Sequence, residues 1–190
     1  MKKVAVMLAE GFEEGESLET IDILRRCGIQ CESVSILNKE VQGCNGITVV
    51  ADRQIDDVNF DEYDMIVLPG GMPGAENLKN NKRIIQIVRE FNSSGKYIAA
   101  ICAAPVVLKE AGISAGRTLT SYPAEKYAQL FEDADYVTDQ IVVTDRNLIT
   151  SQGPATVFPF AYRLAEIMGG NVAEVKRRML YEKLVKSIEQ

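Results

Sequence analysis

The sequence predicts an α/β fold, a flavodoxin-like three-layer α/β/α sandwich around a mostly parallel sheet, and three observations predict it. Short apolar runs alternate with stretches of helical periodicity along the chain. Several of these runs are continuously apolar rather than alternating with polar residues, as strands covered on both faces are. Loops rich in Gly or carrying Cys follow the runs, at the strand ends where open parallel sheets collect their ligands. At 190 residues, 46% hydrophobic and 25% charged, the chain is long enough for one large core and short for two, so residues 1–190 are expected to form one domain.

In order, residues 4–9 read as a buried strand and 16–27 as a helix, with Leu18, Ile21, Ile23 and Leu24 at roughly helical spacing before Gly28 stops it. Residues 31–37 form a second strand, and 41–50, broken by Gly43 and Asn45-Gly46, a small hairpin. Met65-Ile66-Val67-Leu68 is a continuous apolar strand ending in Pro69-Gly70-Gly71; a helix over 82–92 and a buried strand over 97–101 follow. Residues 103–111 read as helical, 117–120 as a short strand, 123–131 as a helix and 137–150 as a hairpin turned at Asp145-Arg146-Asn147. Gly153-Pro154 opens a helix whose apolar face is Phe158, Ala161, Leu164, Ala165 and Met168; Gly169-Gly170 ends it, and Asn171 starts a basic C-terminal helix.

Composition removes whole classes of function. A net charge of −6 repels a phosphate backbone, and Lys176-Arg177-Arg178 reads as the end of a helix, so no direct nucleic-acid partner is expected. The first apolar run ends in Glu10 without a cleavage-like site, and no apolar stretch is long enough to span a bilayer, so neither secretion nor a membrane is expected. Cys27, Cys31, Cys44 and Cys102 contain no Cys-x-x-Cys pair, which fits free thiols in a reducing, cytoplasmic compartment. The chain has no histidine. That excludes Cys-His and Ser-His-Asp catalysis together with His-ligated zinc and iron sites, leaving carboxylate, Tyr, Lys or Cys as a base. No metal and no cofactor are expected.

Three loops follow predicted strands and converge on one crevice in such a fold: residues 10–16, 69–74 and 102–105. In the last, a strand leads straight into a helix with only small residues around Cys102, the requirement of a nucleophile elbow. Pro105 suits the first helical turn, and a helix N-terminus favours a thiolate at Cys102. The alternative is a small buried core cysteine. Gly70-Gly71 lets backbone N–H groups approach a ligand and, with the N–H of Ala103, form an oxyanion hole; the alternative is a tight turn. Neither phosphate-binding glycine pattern is present. Glu10, Glu13, Glu14 and Glu16 crowd the first loop. Acids there ordinarily complement a helix dipole, but one of the four, placed in an apolar crevice beside a thiol, would hold a movable proton. Cys27 and Cys31 are expected in the core and Cys44 at the surface.

The segments 8–16, 24–29, 67–71, 99–105 and 150–156, in this order, resemble the ThiJ/PfpI superfamily in the branch of the parkinsonism-associated deglycase. The resemblance runs to about residue 179. It implies that Glu16 is a protonated glutamate hydrogen-bonded to the cysteine, Cys102 an oxidation-sensitive nucleophile, and Gly71 and Ala103 its backbone donors. Gly70, Tyr122, Gln152 and Pro154 would line the pocket. Tyr122 stands where the deglycase has histidine, Gln152 where it has arginine, and Ala103 where the related peptidases carry histidine, which disfavours peptidase chemistry. The resemblance implies a cofactor-independent glyoxalase or deglycase acting on a small aldehyde such as methylglyoxal, with slower turnover than histidine-bearing relatives. The competing expectation is a redox sensor or chaperone-like protein switched by oxidation of Cys102 to sulfinic acid. A flavodoxin-like nucleotide-binding module has only fold analogy behind it. A homodimer is implied, with the helix at 16–27 as contact surface.

Overall fold

The computed structural model describes residues 2–188. The chain runs β1 (Lys3–Leu8), α1 (Glu14–Arg26), β2 (Gln30–Ser35), β3 (Glu40–Gln42), β4 (Thr48–Val50), β5 (Arg53–Gln54), β6 (Met65–Leu68), α2 (Gly74–Asn80), α3 (Lys82–Ser93), β7 (Tyr97–Ile101), α4 (Val106–Glu110), β8 (Thr118–Leu119), α5 (Glu125–Leu130), β9 (Asp135–Tyr136), β10 (Val142–Asp145), β11 (Leu148–Ser151), α6 (Val157–Ile167), α7 (Val172–Arg178) and α8 (Tyr181–Ile188). Seven strands form one sheet in the order β10-β11-β7-β6-β1-β2-β5. Every pairing in it is parallel except β10 with β11.

The two-residue period of the strands sorts the core into two layers. Ala5, Met7, Ile66, Leu68, Ile98 and Ala100 face α2, α3 and α4. Val4, Val6, Leu8, Met65, Val67, Ala99 and Ile101 face α1 and α6. With apolar residues on both faces, β1, β6 and β7 have no polar alternation, which is why the sequence shows them as continuous runs. The chain leaves β1 toward β2 on one side and returns to β6 on the other, so the order of strands reverses between β1 and β6. A crevice therefore opens at their carboxyl ends.

The structure corrects several sequence expectations. Leu18 is exposed, while α1 buries Ser17, Thr20, Ile21 and Leu24. The buried stripe follows i, i+3, i+4, i+7 from Ser17, and its two small polar members conceal it from an apolar count. Helix α2 was not expected, because only Gly74, Ala75 and Leu78 of its residues are buried. The helix expected over 103–111 begins at Val106, after a turn over residues 102–105, and Pro105 is its N-cap. Of the hairpin expected over 137–150, only β10 and β11 are paired, and β9 instead pairs with β8 in a separate parallel ribbon. The C-terminal helix is two helices, broken near Leu180, whose φ is +60°. The hairpin at 41–50 forms as expected, from β3 and β4.

Arg117 fastens the ribbon to the sheet. It is 6% exposed and donates from Nε to Asp145 Oδ2 at 2.8 Å and from Nη2 to Asn147 Oδ1 at 3.1 Å. The same Asp145 oxygen accepts the Thr118 N–H at 3.1 Å. Hydrogen bonding from Arg146, and against burial from Arg117, holds the Asp145 carboxyl down at about 2. Arg117→Met removes the buried donor to the Asp145 carboxylate and carbonyl and to Asn147, while Arg146 stays on Asp145, so it is expected to cost about 3 kcal/mol in urea unfolding. The Asp145 carboxyl titrates at about 2 folded and about 3.9 unfolded. Its contribution is full above about pH 4 and lost as pH falls toward 2; wild-type and variant stabilities should converge across that window.

Candidate active site

The loops after β1, β6 and β7 meet at the switch point. The Glu13 N–H donates to the Gly70 carbonyl at 2.9 Å and the Gly74 N–H to the Gly11 carbonyl at 3.1 Å, which ties the first loop to the second. The third loop begins with Cys102 in the left-handed region, at φ +61°. For a residue with a Cβ that conformation costs about 1–2 kcal/mol and persists only where neighbours fix it. Here the Cys102 N–H donates to the Ser151 carbonyl at 3.0 Å, and the Cys102 carbonyl accepts the Tyr122 N–H at 2.8 Å. Both of its backbone groups are thus held from other elements. The elbow turns the side chain out of the sheet, where the half-buried thiol packs against both core layers.

Glu16 reaches the thiol from the first turn of α1. It is 1% exposed; Oε2 accepts the Gly70 N–H at 2.8 Å, and Oε1 is buried with no hydrogen-bond partner. The Cys102 side chain and this carboxyl converge on Gly70, without a hydrogen bond from the thiol to the unpaired oxygen. Gly70 is required at this point: a Cβ there would lie 2.7 Å from Cys102 Cβ and 2.8 Å from Glu16 Oε2. Gly71 is required too, with φ +87° and the Glu13 nitrogen 2.4 Å from where its Cβ would be. The N–H groups of Gly71 and Ala103, the residues next to Gly70 and Cys102, favour the thiolate form.

Burial pushes the Glu16 carboxyl up to about 7, the Gly70 N–H and Cys102 only partly offsetting it. Burial, then the nearby Glu16 carboxylate, push the Cys102 thiol up to about 12 against the pull of the Ala103 and Gly71 N–H groups. The thiol was expected to be lowered by a helix N-terminus. The structure corrects this: a turn separates Cys102 from the start of α4, and burial beside an acid outweighs the backbone donors. One proton fewer than two acids is what this pocket accommodates near neutrality.

A left-handed cysteine at a strand end and a buried glutamate hydrogen-bonded to a Gly-Gly turn form one constellation. The model of the DJ-1/PfpI family matches residues 2–167. The chain belongs to the DJ-1/PfpI family. It is 40% identical over 182 residues to Drosophila melanogaster protein dj-1beta, covering 94% of this chain and 97% of the fly protein. It is 35% identical to the Danio rerio Parkinson disease protein 7 homolog, covering 90% of this chain and 93% of the fish protein. The crystal structure of Drosophila DJ-1beta superposes with a TM-score of 0.90 at 39% identity, covering 94% of this chain and 97% of that one. Oxidised Toxoplasma gondii DJ-1 superposes at 0.88 with 32% identity, over 95% of this chain and 98% of that one.

Within this family frame, the acids of the first loop divide by role. Glu10 Oε2 accepts the Gln42 N–H at 3.2 Å, and Glu13 caps α1 by accepting the Glu16 N–H at 2.5 Å. Glu14, which sequence reasoning could not separate from its neighbours, is 4% exposed and holds the turn of the β3–β4 hairpin through the N–H groups of Asn45 at 2.8 Å and Ile47 at 3.3 Å and the Asn45 amide at 2.8 Å. Only Glu16 faces the thiol. Tyr122 contributes its backbone to Cys102, while its side chain is exposed and passes 3.7 Å from a Cβ position at Gly153. Gln152 is a strut: its amide nitrogen donates to Thr120 Oγ1 at 3.2 Å and to the carbonyls of Thr138 at 2.9 Å and Gln140 at 3.3 Å. Pro154 is exposed at the start of a 3₁₀ turn before α6. Cys27 and Cys31 are buried and Cys44 exposed. Among the described residues, no group of three His, Cys, Asp or Glu side chains is arranged to hold a metal ion, and no helix is long and apolar enough to cross a membrane.

Glu14 and Glu16 should therefore fail differently. Glu14→Ala leaves the hairpin turn without its acceptors and is expected to cost about 2 kcal/mol, read by thermal unfolding, with faster proteolytic cleavage within residues 40–50.

Proposed function

We propose that the chain is a cofactor-independent glyoxalase or deglycase acting on methylglyoxal or its early adducts through a Cys102 thiolate and Glu16. The observation that carries this is the buried Glu16 carboxyl, one oxygen fixed by Gly70 and the other unpaired, in the same corner at Gly70 as the Cys102 side chain. Two causes of the raised thiol, the charge and the acceptor of Glu16, disappear when Glu16 rather than Cys102 keeps the shared proton. A protonated Glu16 then donates to the thiolate, which the Gly71 and Ala103 N–H groups also stabilise.

In the proposed cycle the thiolate adds to the aldehyde carbon, forming the S–C1 bond, and the resulting oxyanion is held by the Gly71 and Ala103 N–H groups before Glu16 protonates it. Glu16 next carries a proton from C1 to C2 while the hydroxyl proton on the C1 oxygen passes to the C2 oxygen, so that C1 is oxidised and C2 reduced within one molecule and a thioester remains. Water hydrolyses the thioester to the 2-hydroxy acid and frees the thiol. No external oxidant or cofactor enters. With Tyr122 in place of an imidazole, Glu16 alone serves proton transfer in this proposal, and turnover is expected to be slow. A homodimer in the cytoplasm belongs to the same proposal; Leu18, left exposed on α1, supports that helix as a contact surface. Light scattering at micromolar concentration checks it, and a monomer refutes it.

A second function is favoured by the same unpaired Glu16 oxygen: a sulfinic acid at Cys102 would place an oxygen beside it, giving an oxidation sensor. Intact mass after mild peroxide should show two added oxygens on wild type and none on Cys102→Ala.

The catalytic proposal is tested by the pH dependence of Cys102 alkylation. A proton kept on Glu16 gives a wild-type inflection at or below about 7, where the pair loses its first proton. Glu16→Gln, lacking the acidic O–H donor, then moves that inflection upward. A downward shift in Glu16→Gln means that an ionised Glu16 had been repelling the thiolate, and it rejects the proposal. Cys102→Ala is expected to lower lactate production from methylglyoxal at least about 10³-fold; wild-type rates in that variant would also reject it.

A further inference from the structure

A cleft of about 210 Å³ lies beside the elbow, and none of the functions above uses it. Its floor is Ala103, Val106, Tyr127 and Leu130, and Met72 forms a wall. Met72 directly follows Gly71 and Ala103 directly follows Cys102, so the cleft begins at one of the two backbone donors, Ala103, and one residue beyond the other, Gly71. Helix α5, which supplies Tyr127 and Leu130, hangs from the elbow: the Tyr122 N–H binds the Cys102 carbonyl and the Ala124 N–H binds the Tyr122 carbonyl, both at 2.8 Å.

The chemistry of the lining is mainly apolar. Of the charged groups at its rim, Glu76 is paired with Lys79 at 2.6 Å, and Lys126 lies over the Tyr127 ring at 4.8 Å. At about 210 Å³ the cleft falls below the range of about 300–1,000 Å³ that holds a drug-sized ligand. It suits a single alkyl or aryl group better than a peptide or nucleotide. Ala103, which lines the cleft, is the residue that follows Cys102, so a substituent on a substrate bonded to Cys102 that extends past Ala103 enters the cleft.

We propose that this cleft is the subsite for the substituent on C2, and that it selects 2-oxoaldehydes whose C2 carries an apolar group larger than methyl. This rests on the glyoxalase proposal. The overall conversion stays R–CO–CHO plus water to R–CH(OH)–COOH, and only R changes. Burying each further methylene in such a cleft raises kcat/KM about two- to fourfold until it is full.

The experiment compares methyl-, ethyl-, propyl- and phenylglyoxal as substrates of the full chain. In parallel, N-methyl to N-butyl iodoacetamides are compared as alkylating agents of Cys102, read by intact mass. Both series are expected to rise with chain length, with phenylglyoxal about tenfold or more above methylglyoxal. Leu130→Trp fills the cleft and should flatten both series. Met72→Ala, at an exposed wall where folding is not at stake, should weaken the dependence in both. Flat wild-type series, or rising series that neither variant alters, overturn the subsite. No turnover of any glyoxal, with an alkylation series that still rises and is flattened by Leu130→Trp, overturns the reaction and keeps the apolar subsite.

Discussion

A cysteine held at φ +61° at the end of a buried strand is the constraint around which the other parts of the site are arranged. The strained backbone needs anchors on both sides. One is the Ser151 carbonyl, available because β11 lies parallel to β7 with Ser151 level with Ile101. The other is the Tyr122 N–H, brought in by the chain after β8. Sheet register is thus a condition of the chemistry, since a slip of one residue would turn that carbonyl away and remove the elbow's support. The small residues 99–100 and 103–104 and the absent side chain at Gly70 follow from the same crowding, because the thiol, a carboxyl and a turn share one corner of the molecule.

Electrostatics in that corner follows from burial. Four glutamates sit within seven residues of the first loop, yet three spend their oxygens on backbone N–H groups that the fold supplies: Gln42 for Glu10, Glu16 for Glu13, and Asn45 and Ile47 for Glu14. Glu14 is accordingly drawn below the usual carboxylate range by its hydrogen bonds despite its burial, whereas Glu16, with one N–H donor and no cation, is pushed to about 7. The negative charge of Glu13 adds to that rise. Two residues of the same type, two positions apart, end in opposite protonation tendencies because one carboxyl meets several donors and the other is buried with a single N–H donor.

Much of this was legible in the sequence. Strands β1, β6 and β7 announce themselves as continuous apolar runs, and the three loops that form the site could be placed at their ends without coordinates. Two kinds of information were not legible. The buried face of α1 begins with Ser17 and Thr20, polar by composition but small enough to pack, so periodicity pointed to Leu18 instead. The assignment of the four acids depends on which N–H groups the β3–β4 hairpin and the Gly70-Gly71 turn present, and those are long-range partners that no local pattern encodes. The sign of the Cys102 shift was missed for a related reason: a strand-to-helix junction suggests a dipole, but the turn over 102–105 and the buried acid opposite decide the balance.

The lack of histidine sharpens what the pocket must do for itself. Where an imidazole could take a proton from the thiol and remain charged beside it, this chain has an exposed tyrosine, and its Gln152 is occupied in bracing residues 138–140. The only movable proton close to Cys102 is then the one shared with Glu16, and the only fixed positive ends are backbone N–H groups. Backbone donors have no pKa of their own and require no reorganisation as charge develops on sulfur or oxygen. Their strength depends on distance and direction alone, which the left-handed elbow and the Gly70-Gly71 turn set. A rigid backbone frame with a single buried acid is therefore a self-sufficient arrangement for stabilising an anion, and proton delivery rather than anion stabilisation becomes the step that such a site does least well.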